Sequence, residues 1–212
     1  MTEMHFSRRV LLGSALAAGS IALLPRFVAA APVIGVVAPD FELPDQDGTM
    51  RRLSSYRGRV VVLEWTNHDC PYVRKHYKSA NMQNLQREAA ERGIVWLSMA
   101  SSPKGEQGHV DGPQAKQLTA SRNAAPSSVL LDHSSKAARL YRATTTPQMF
   151  VIDPSGTLRY MGAIDSIRST RVEDVPKAEP YFRSAMLAVA SGGMPDKAAT
   201  APYGCAIKYL DV

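Results

Sequence analysis

Apolar and polar positions along the chain fall into segments with different periods. Arg59 to Thr66 (Arg-Val-Val-Val-Leu-Glu-Trp-Thr) is mostly apolar on both alternating faces, the pattern of a buried central strand. Pro71 then opens a helix to about Arg92. Val73, Tyr77 and Ala80, then Met82, Leu85 and Ala89, recur at helical spacing and draw an apolar stripe. Proline suits the first helical turn, where its missing N–H has no partner to lose, and Gly93 ends the helix. Ile94 to Ala100 reads as a second buried strand. Ser101 to Gly112 is a loop, Pro113 to Asn123 a helix, Ser128 to Asp132 a third strand and Ser135 to Tyr141 a short helix. Gln148 to Ile152 and Thr157 to Gly162 read as strands joined by a tight Asp153-Pro154-Ser155-Gly156 turn. Pro176 to Ala190 is the last helix. Ahead of all these, Val36 to Leu53 forms a short hairpin region punctuated by Pro39, Pro44 and Asp47-Gly48.

The resulting order is β-α-β-α-β-α-β-β-α. Alternating strands and helices predict a parallel sheet with helices on both faces. The terminal hairpin adds antiparallel strands, so the expected class is α/β with a central mixed β-sheet flanked by helices. A chain of 212 residues fits one domain with appendages. We place that domain at residues 31–191, a leader at 1–30 and a C-terminal tail at 192–212. Hydrophobic residues at 45% and charged residues at 21% exclude a disordered chain. Two cysteines exclude a disulfide-stapled mini-protein, a four-cysteine zinc site and a cysteine-held iron–sulfur cluster.

The leader changes how the rest is read. Ser7-Arg8-Arg9-Val10-Leu11-Leu12 is followed by small and apolar residues to Leu24. That run is shorter than the roughly 20 residues that cross a bilayer. Paired arginines before it match a twin-arginine export signal, and Val28-Ala29-Ala30 offers small residues for cleavage after Ala30. The expected location is therefore periplasmic, with no stable membrane span after cleavage. An uncleaved N-terminal anchor is the alternative. Removing residues 1–30 takes three arginines and one glutamate from a net charge of +6, leaving +4. No basic run interleaved with aromatics remains, so nucleic acid is not an expected partner. Exported thiols can oxidise and stay oxidised. Cys70 and Cys205 are then a structural disulfide, a redox pair or two unrelated thiols.

Cys70 ends the central strand's loop and immediately precedes the Pro71-led helix. Unpaired N–H groups and the helix dipole favour an anion there, which predicts a stabilised, reactive thiolate. Arg74 and Lys75 follow within about one turn and are expected to add positive potential. The alternative is an inert cysteine packed as a small hydrophobe.

These residues, taken together, resemble the thioredoxin-like fold: a buried strand, the Cys70-Pro71 helix start, and Thr145-Thr146-Pro147 before a later strand. Within that fold the pattern is most similar to exported redoxins of the alkyl hydroperoxide reductase/thiol-specific antioxidant type. Ala38-Pro39-Asp40-Phe41, then Asp47-Gly48 and Leu53, resembles the hairpin that opens those proteins. The resemblance spans roughly Val33 to Asp165. The Cys-Pro-Tyr-Val start and the tail Tyr203-Gly204-Cys205-Ala206-Ile207-Lys208-Tyr209 resemble those of a subgroup of exported thioredoxin-family proteins.

The resemblance implies roles for particular residues. Glu64, six residues before Cys70, matches a buried acid that accepts and returns protons. Burial raises a carboxyl pKa, which suits acid–base work near neutral pH. A rim carboxylate paired with a Lys or Arg is the other reading. Pro147 matches a cis-proline beside the active cysteine, leaving the Thr146 main chain to pair with an extended substrate. Trp65, Pro71 and Tyr72 flank the site and are candidates to line it, although Trp65 and Tyr72 are equally candidates for the core. Cys205 matches a resolving thiol for an oxidised Cys70, or else a static disulfide that fixes the tail or joins another chain.

The sequence also departs from the family. Val73 stands where thioredoxins carry their second cysteine. Asn67 and Leu63 stand where peroxiredoxins carry a threonine and a proline. Thr66 and Asn67 are the nearest groups to hydrogen-bond a peroxide. The implied activity is a thiol-disulfide oxidoreductase or thiol peroxidase. It would act on protein or small-molecule disulfides or on peroxides, with an external thiol as reductant and no cofactor. Two alternatives remain: a copper-binding protein using His68, Cys70 and His76, and a redox-silent scaffold. Arg74 stands where copper chaperones of this fold carry a second cysteine. His68 and His76 are therefore read as tuning the thiol or sitting at the rim, with no metal expected.

Overall fold

The structure is a computed structural model that describes residues 1–2 and 31–210. The export signal read in the leader falls on residues 3–30 and lies outside the described residues. In chain order the elements are β1 (Glu42–Pro44), β2 (Met50–Arg52), β3 (Val61–Trp65), α1 (Pro71–Lys78), α2 (Asn81–Glu91), β4 (Val95–Ala100), α3 (Gly112–Ser121), β5 (Ser128–Leu131) and α4 (Lys136–Leu140). They continue with β6 (Thr145–Thr146), β7 (Gln148–Ile152), β8 (Leu158–Gly162), α5 (Tyr181–Ala190) and β9 (Cys205–Ala206).

The central sheet runs β5-β4-β3-β7-β8. β3 lies parallel to β4 and antiparallel to β7, which makes the sheet mixed as expected. Every residue of β3 and β4 is buried because both faces are covered. One face carries Leu63, Trp65, Leu97, Met99 and Phe150, packed under Phe41, Leu43 and the α4 residues Ala137 and Ala138. The other carries Val62, Trp96, Met149 and Val151, packed against Met82 and Leu85 of α2 and Phe182 and Met186 of α5. This two-sided packing is why the strands read as near-continuous apolar runs. It also makes Glu64, fully buried in β3, conspicuous.

The β1–β2 hairpin leans on β5. Asp45 bridges to Leu130, and the Val129 amide donates to Gln46 Oε1 at 2.7 Å. On the far side, residues 198–200 run beside β8. The Met161 amide donates to the Ala198 carbonyl at 3.0 Å, and the Thr200 amide donates to the Met161 carbonyl at 3.1 Å.

Two expectations are corrected. The helix read from Pro71 to Arg92 is two helices, broken at Ser79–Ala80, where Ala80 adopts a left-handed φ of 57°. Side chains hold the break: Gln83 Nε2 donates to the Tyr77 carbonyl at 2.9 Å, and Asn81 Nδ2 lies 2.9 Å from His76 Nδ1. No glycine or proline marks it, so the apolar stripe runs straight through. The last helix begins at Tyr181, not Pro176, with a short 3₁₀ turn at Val172–Lys177 before it. Pro180 has no N–H for the Pro176 carbonyl and turns Glu179 away from helical geometry. Within the tail, Cys205–Ala206 form β9, antiparallel to β6.

Candidate active site

β3 points its C-terminal end at the start of α1, and the connecting loop places Cys70 at the helix N-cap with Pro71 in the first turn. Cys70 is fully buried. Its Sγ–H donates to the Thr146 carbonyl at 3.1 Å, and its side chain accepts no capping bond from α1. The Thr146–Pro147 peptide bond is cis.

The tail completes the site. In the β6–β9 pairing Cys205 stands opposite Thr146, the residue whose carbonyl accepts the Cys70 hydrogen bond. Both cysteines are free thiols. Burial, then the hydrogen bond with Cys70, pushes the Cys205 thiol up to about 12. Gly204 comes so close to Thr146 that a Cβ on it would lie 1.9 Å from the Thr146 carbonyl oxygen, and its φ is 148°. Only glycine fits there.

Glu64 accepts four hydrogen bonds and no ion pair reaches it among the described residues. Tyr77 Oη donates to Oε1 at 2.9 Å. Trp96 Nε1 and Ser98 Oγ each donate to Oε2 at 2.8 Å, and Gln86 Nε2 at 3.4 Å. Burial raises its pKa, and the hydrogen bonds from Trp96, Ser98 and Tyr77 oppose the rise. Register explains the set: Glu64 sits opposite Ser98 across the β3–β4 pair. The reading of a rim carboxylate does not hold. A small cleft of about 50 Å³ reaches Tyr77 and Ser98, two of the groups that hold Glu64, and also Thr66 and Asn67. Thr66 Oγ1 is buried there without a hydrogen-bond partner.

Other expected site residues are placed differently. Trp65 is core, not lining. Its ring packs on Tyr141 and Phe150 with centroids 5.4 and 5.1 Å away, and its Nε1 donates to Ser101 Oγ at 3.1 Å. Alternation along β3 decides this, because Trp65 shares the face of Leu63. Pro71 is exposed and Tyr72 half-buried, its ring 5.7 Å from that of Tyr203. Asn67 is occupied: Nδ2 donates to the Gln107 carbonyl and Oδ1 accepts from the Asp69 amide. Lys75 was expected to favour the thiolate, yet it is buried with Nζ 3.4 Å from Asp165 Oδ2 and bonded to the Ile167 carbonyl. His76 is also buried, not at the rim. His68 lies against Asp69 instead. No three His, Cys, Asp or Glu side chains converge on a common point among the described residues.

The sequence shows Tyr203 and Gly204 only as part of the tail motif and marks no role for Asp165. Tyr203 Oη donates to Asp165 Oδ1 and lies 3.5 Å from His76 Nε2. Asp165 also accepts from the Ile167 amide at 3.0 Å. The available signal was a glycine directly before the second cysteine, with an aromatic before it.

A cysteine at a strand-to-helix turn, facing a cis-proline loop across this sheet order, places the molecule in the thioredoxin-like class. The chain belongs to the AhpC/TSA family, whose profile matches residues 34–161, and its chemistry is thiol-dependent oxidoreduction. It is 26% identical over 136 residues to the thiol-disulfide oxidoreductase ResA of Geobacillus kaustophilus, covering 61% of this chain and 68% of that one. An uncharacterised conserved protein from Geobacillus kaustophilus superposes with a TM-score of 0.75 at 21% identity, over 85% of this chain and 94% of the other. A candidate thiol:disulfide interchange protein DsbE from Chlorobium tepidum matches at 0.51 and 25% identity, over 62% and 85%. No helix among the described residues is long and apolar enough to cross a membrane.

Proposed function

We propose that this chain is an exported two-cysteine oxidoreductase in which Cys70 attacks and Cys205 resolves. One observation carries the reading: β9 sets Cys205 opposite Thr146, the acceptor of the Cys70 hydrogen bond. Folding thus brings together two thiols 135 residues apart in sequence. With a hydroperoxide, the Cys70 thiolate takes the terminal oxygen and becomes a sulfenic acid. The Cys205 thiol gives its proton to the departing alkoxide. The resulting Cys205 thiolate displaces hydroxide from the sulfenic sulfur and closes a Cys70–Cys205 disulfide. With a disulfide, Cys70 forms a mixed disulfide and releases one thiolate, and Cys205 then releases the other. An external thiol reductant returns two electrons and two protons in either case.

The disulfide route has the added support of the ResA relative, a thiol-disulfide oxidoreductase. Leu63 and Asn67 at the peroxiredoxin positions point the same way. Thr146 and Pro147 shape the substrate side, with Pro71 and Tyr72 at its margin. Glu64 is the proton store: it is buried with a raised pKa, and the cleft beside Tyr77 and Ser98 offers water a way in. Export rests on the paired arginines Arg8 and Arg9 and the short apolar run after them.

Intact mass before and after one equivalent of hydrogen peroxide or a small disulfide, with peptide mapping, tests the cycle. The expected product is two hydrogens lighter and yields a Cys70–Cys205 peptide, and Cys70→Ser abolishes both reactions. Oxidation at Cys70 without the crosslink makes Cys205 structural. Full function with Cys70→Ser restores the scaffold reading, and a stoichiometric copper complex lost in that variant restores the metal one.

A further inference from the structure

The tail does more than carry Cys205. Residues 203–207 lie across the cis-proline loop, with β9 pairing Thr145 opposite Ala206 and Thr146 opposite Cys205 and the Ile207 amide donating to the Thr144 carbonyl at 3.1 Å. A short strand with a free main-chain side is a template for an added strand. Here that side is already taken by the chain itself. Gly204 allows an approach that any side chain would forbid, so the fit is specific to this segment. The segment is held at both ends. Upstream, Tyr203 is 5% exposed and hydrogen-bonded to Asp165. Downstream, Tyr209 Oη donates to the Ala138 carbonyl at 3.2 Å and the Leu210 amide to Ser135 Oγ at 2.9 Å. Cys70 lies buried beneath, while Cys205 is partly exposed.

Building on the proposed role of Cys70, we infer that the tail makes the enzyme selective for low-molecular-weight disulfides and hydroperoxides over polypeptide disulfides. A small oxidant needs only to reach sulfur, beside the partly exposed Cys205. A polypeptide must also take the Thr146 main chain, and β9 already holds it. Gly204, Tyr203 and Asp165 are then specificity determinants that act by holding β9 in place. The covalent step is unchanged: Cys70 thiolate and a disulfide give a mixed disulfide and one released thiolate.

The test compares two probes with the same leaving thiol. One is hydroxyethyl disulfide. The other is an extended peptide whose central cysteine is the mixed disulfide with hydroxyethyl thiol. Rapid-quench mass spectrometry reads the first-order loss of the Cys70 thiol. Gly204→Val drives a Cβ into the Thr146 carbonyl and so lifts β9 while keeping both cysteines. The expected result is that the wild-type protein prefers the small probe, and that Gly204→Val raises the peptide-to-small rate ratio by about tenfold, the equivalent of one or two main-chain hydrogen bonds made to the freed Thr146. Tyr203→Phe keeps the ring and removes one anchor, so it shifts the ratio the same way by less. Should either variant misfold, the other still reads the ratio. A ratio unchanged in a folded variant, with the small probe still reacting, overturns the tail's role alone. Failure of the small probe to react with wild type overturns the assignment of Cys70 and the selectivity with it.

Discussion

Two carboxylates are buried beside α1, and they are satisfied in opposite ways. Glu64 faces only neutral donors: a phenol, an indole, a hydroxyl and an amide. Asp165 faces the Lys75 ammonium, the Tyr203 hydroxyl and the His76 ring. Burial lowers the His76 pKa to about 4, so that ring is neutral near pH 7 and Lys75 carries the charge opposite Asp165. Asp165 is thus paired with a buried cation, while Glu64 has none beside it. The difference lies in which cations the fold admits. α1 sends Lys75 toward the 163–167 segment and sends Tyr77 toward β3, so the helix that begins at the reactive cysteine serves both clusters.

The largest effect should come from breaking the charged cluster. Asp165→Ala leaves the buried Lys75 ammonium without its partner. Such a loss costs about 3–5 kcal/mol, and urea unfolding should show the midpoint falling by that measure. If stability is unchanged, Lys75 relaxes to solvent and the cluster is not the counter-charge described. Next is the neutral cluster. Glu64→Gln should slow turnover by about a hundredfold and remove the limb of the pH–rate profile that follows the carboxyl. A uniform fall at all pH values would indicate lost packing instead of lost proton transfer.

The smallest effect is on stability against pH. Burial raises the folded-state pKa of Glu64 above its ordinary 4.5. The folded protein therefore holds this proton more tightly than the unfolded chain does. Stability from this group is fully present below 4.5 and is lost as pH rises through the folded value. Glu64→Gln cannot ionise, so relative to the variant the wild-type protein should weaken as pH rises above 4.5. Parallel stability curves for the two proteins would remove the raised pKa from the argument.

The part of this arrangement that sequence reveals is the local part. The strand, the Cys70-Pro71 start and the Thr146-Pro147 loop are each written in a few adjacent residues, and the structure has them in place. Glu64 is visible as a lone acid in an apolar run, but its donors come from α1, α2 and β4, and only register supplies Ser98. The tail was hardest to read. Its docking depends on polar contacts from Tyr203 to Asp165 and from Leu210 to Ser135, which have no periodicity. A two-residue strand is too short for an alternating pattern to show. The Ala80 break is hidden for a related reason, being held by Gln83 and Asn81 rather than by a residue that disfavours helix. Pro180 is different: the boundary it sets is legible in the sequence itself, because a proline cannot serve a helix interior.

The contacts flanking the central sheet have a consequence for how molecules of this protein meet one another. A strand with an open side invites a neighbour's strand, and long open sides are where sheets fuse into aggregates. Here the hairpin lies along the outer side of β5 and residues 198–200 lie along that of β8. The two ends of the domain thus shield the two flanks of its sheet. A chain shortened before residue 198 would lose more than its second thiol: it would expose β8 as a sticky surface, trading a self-contained particle for one prone to clump.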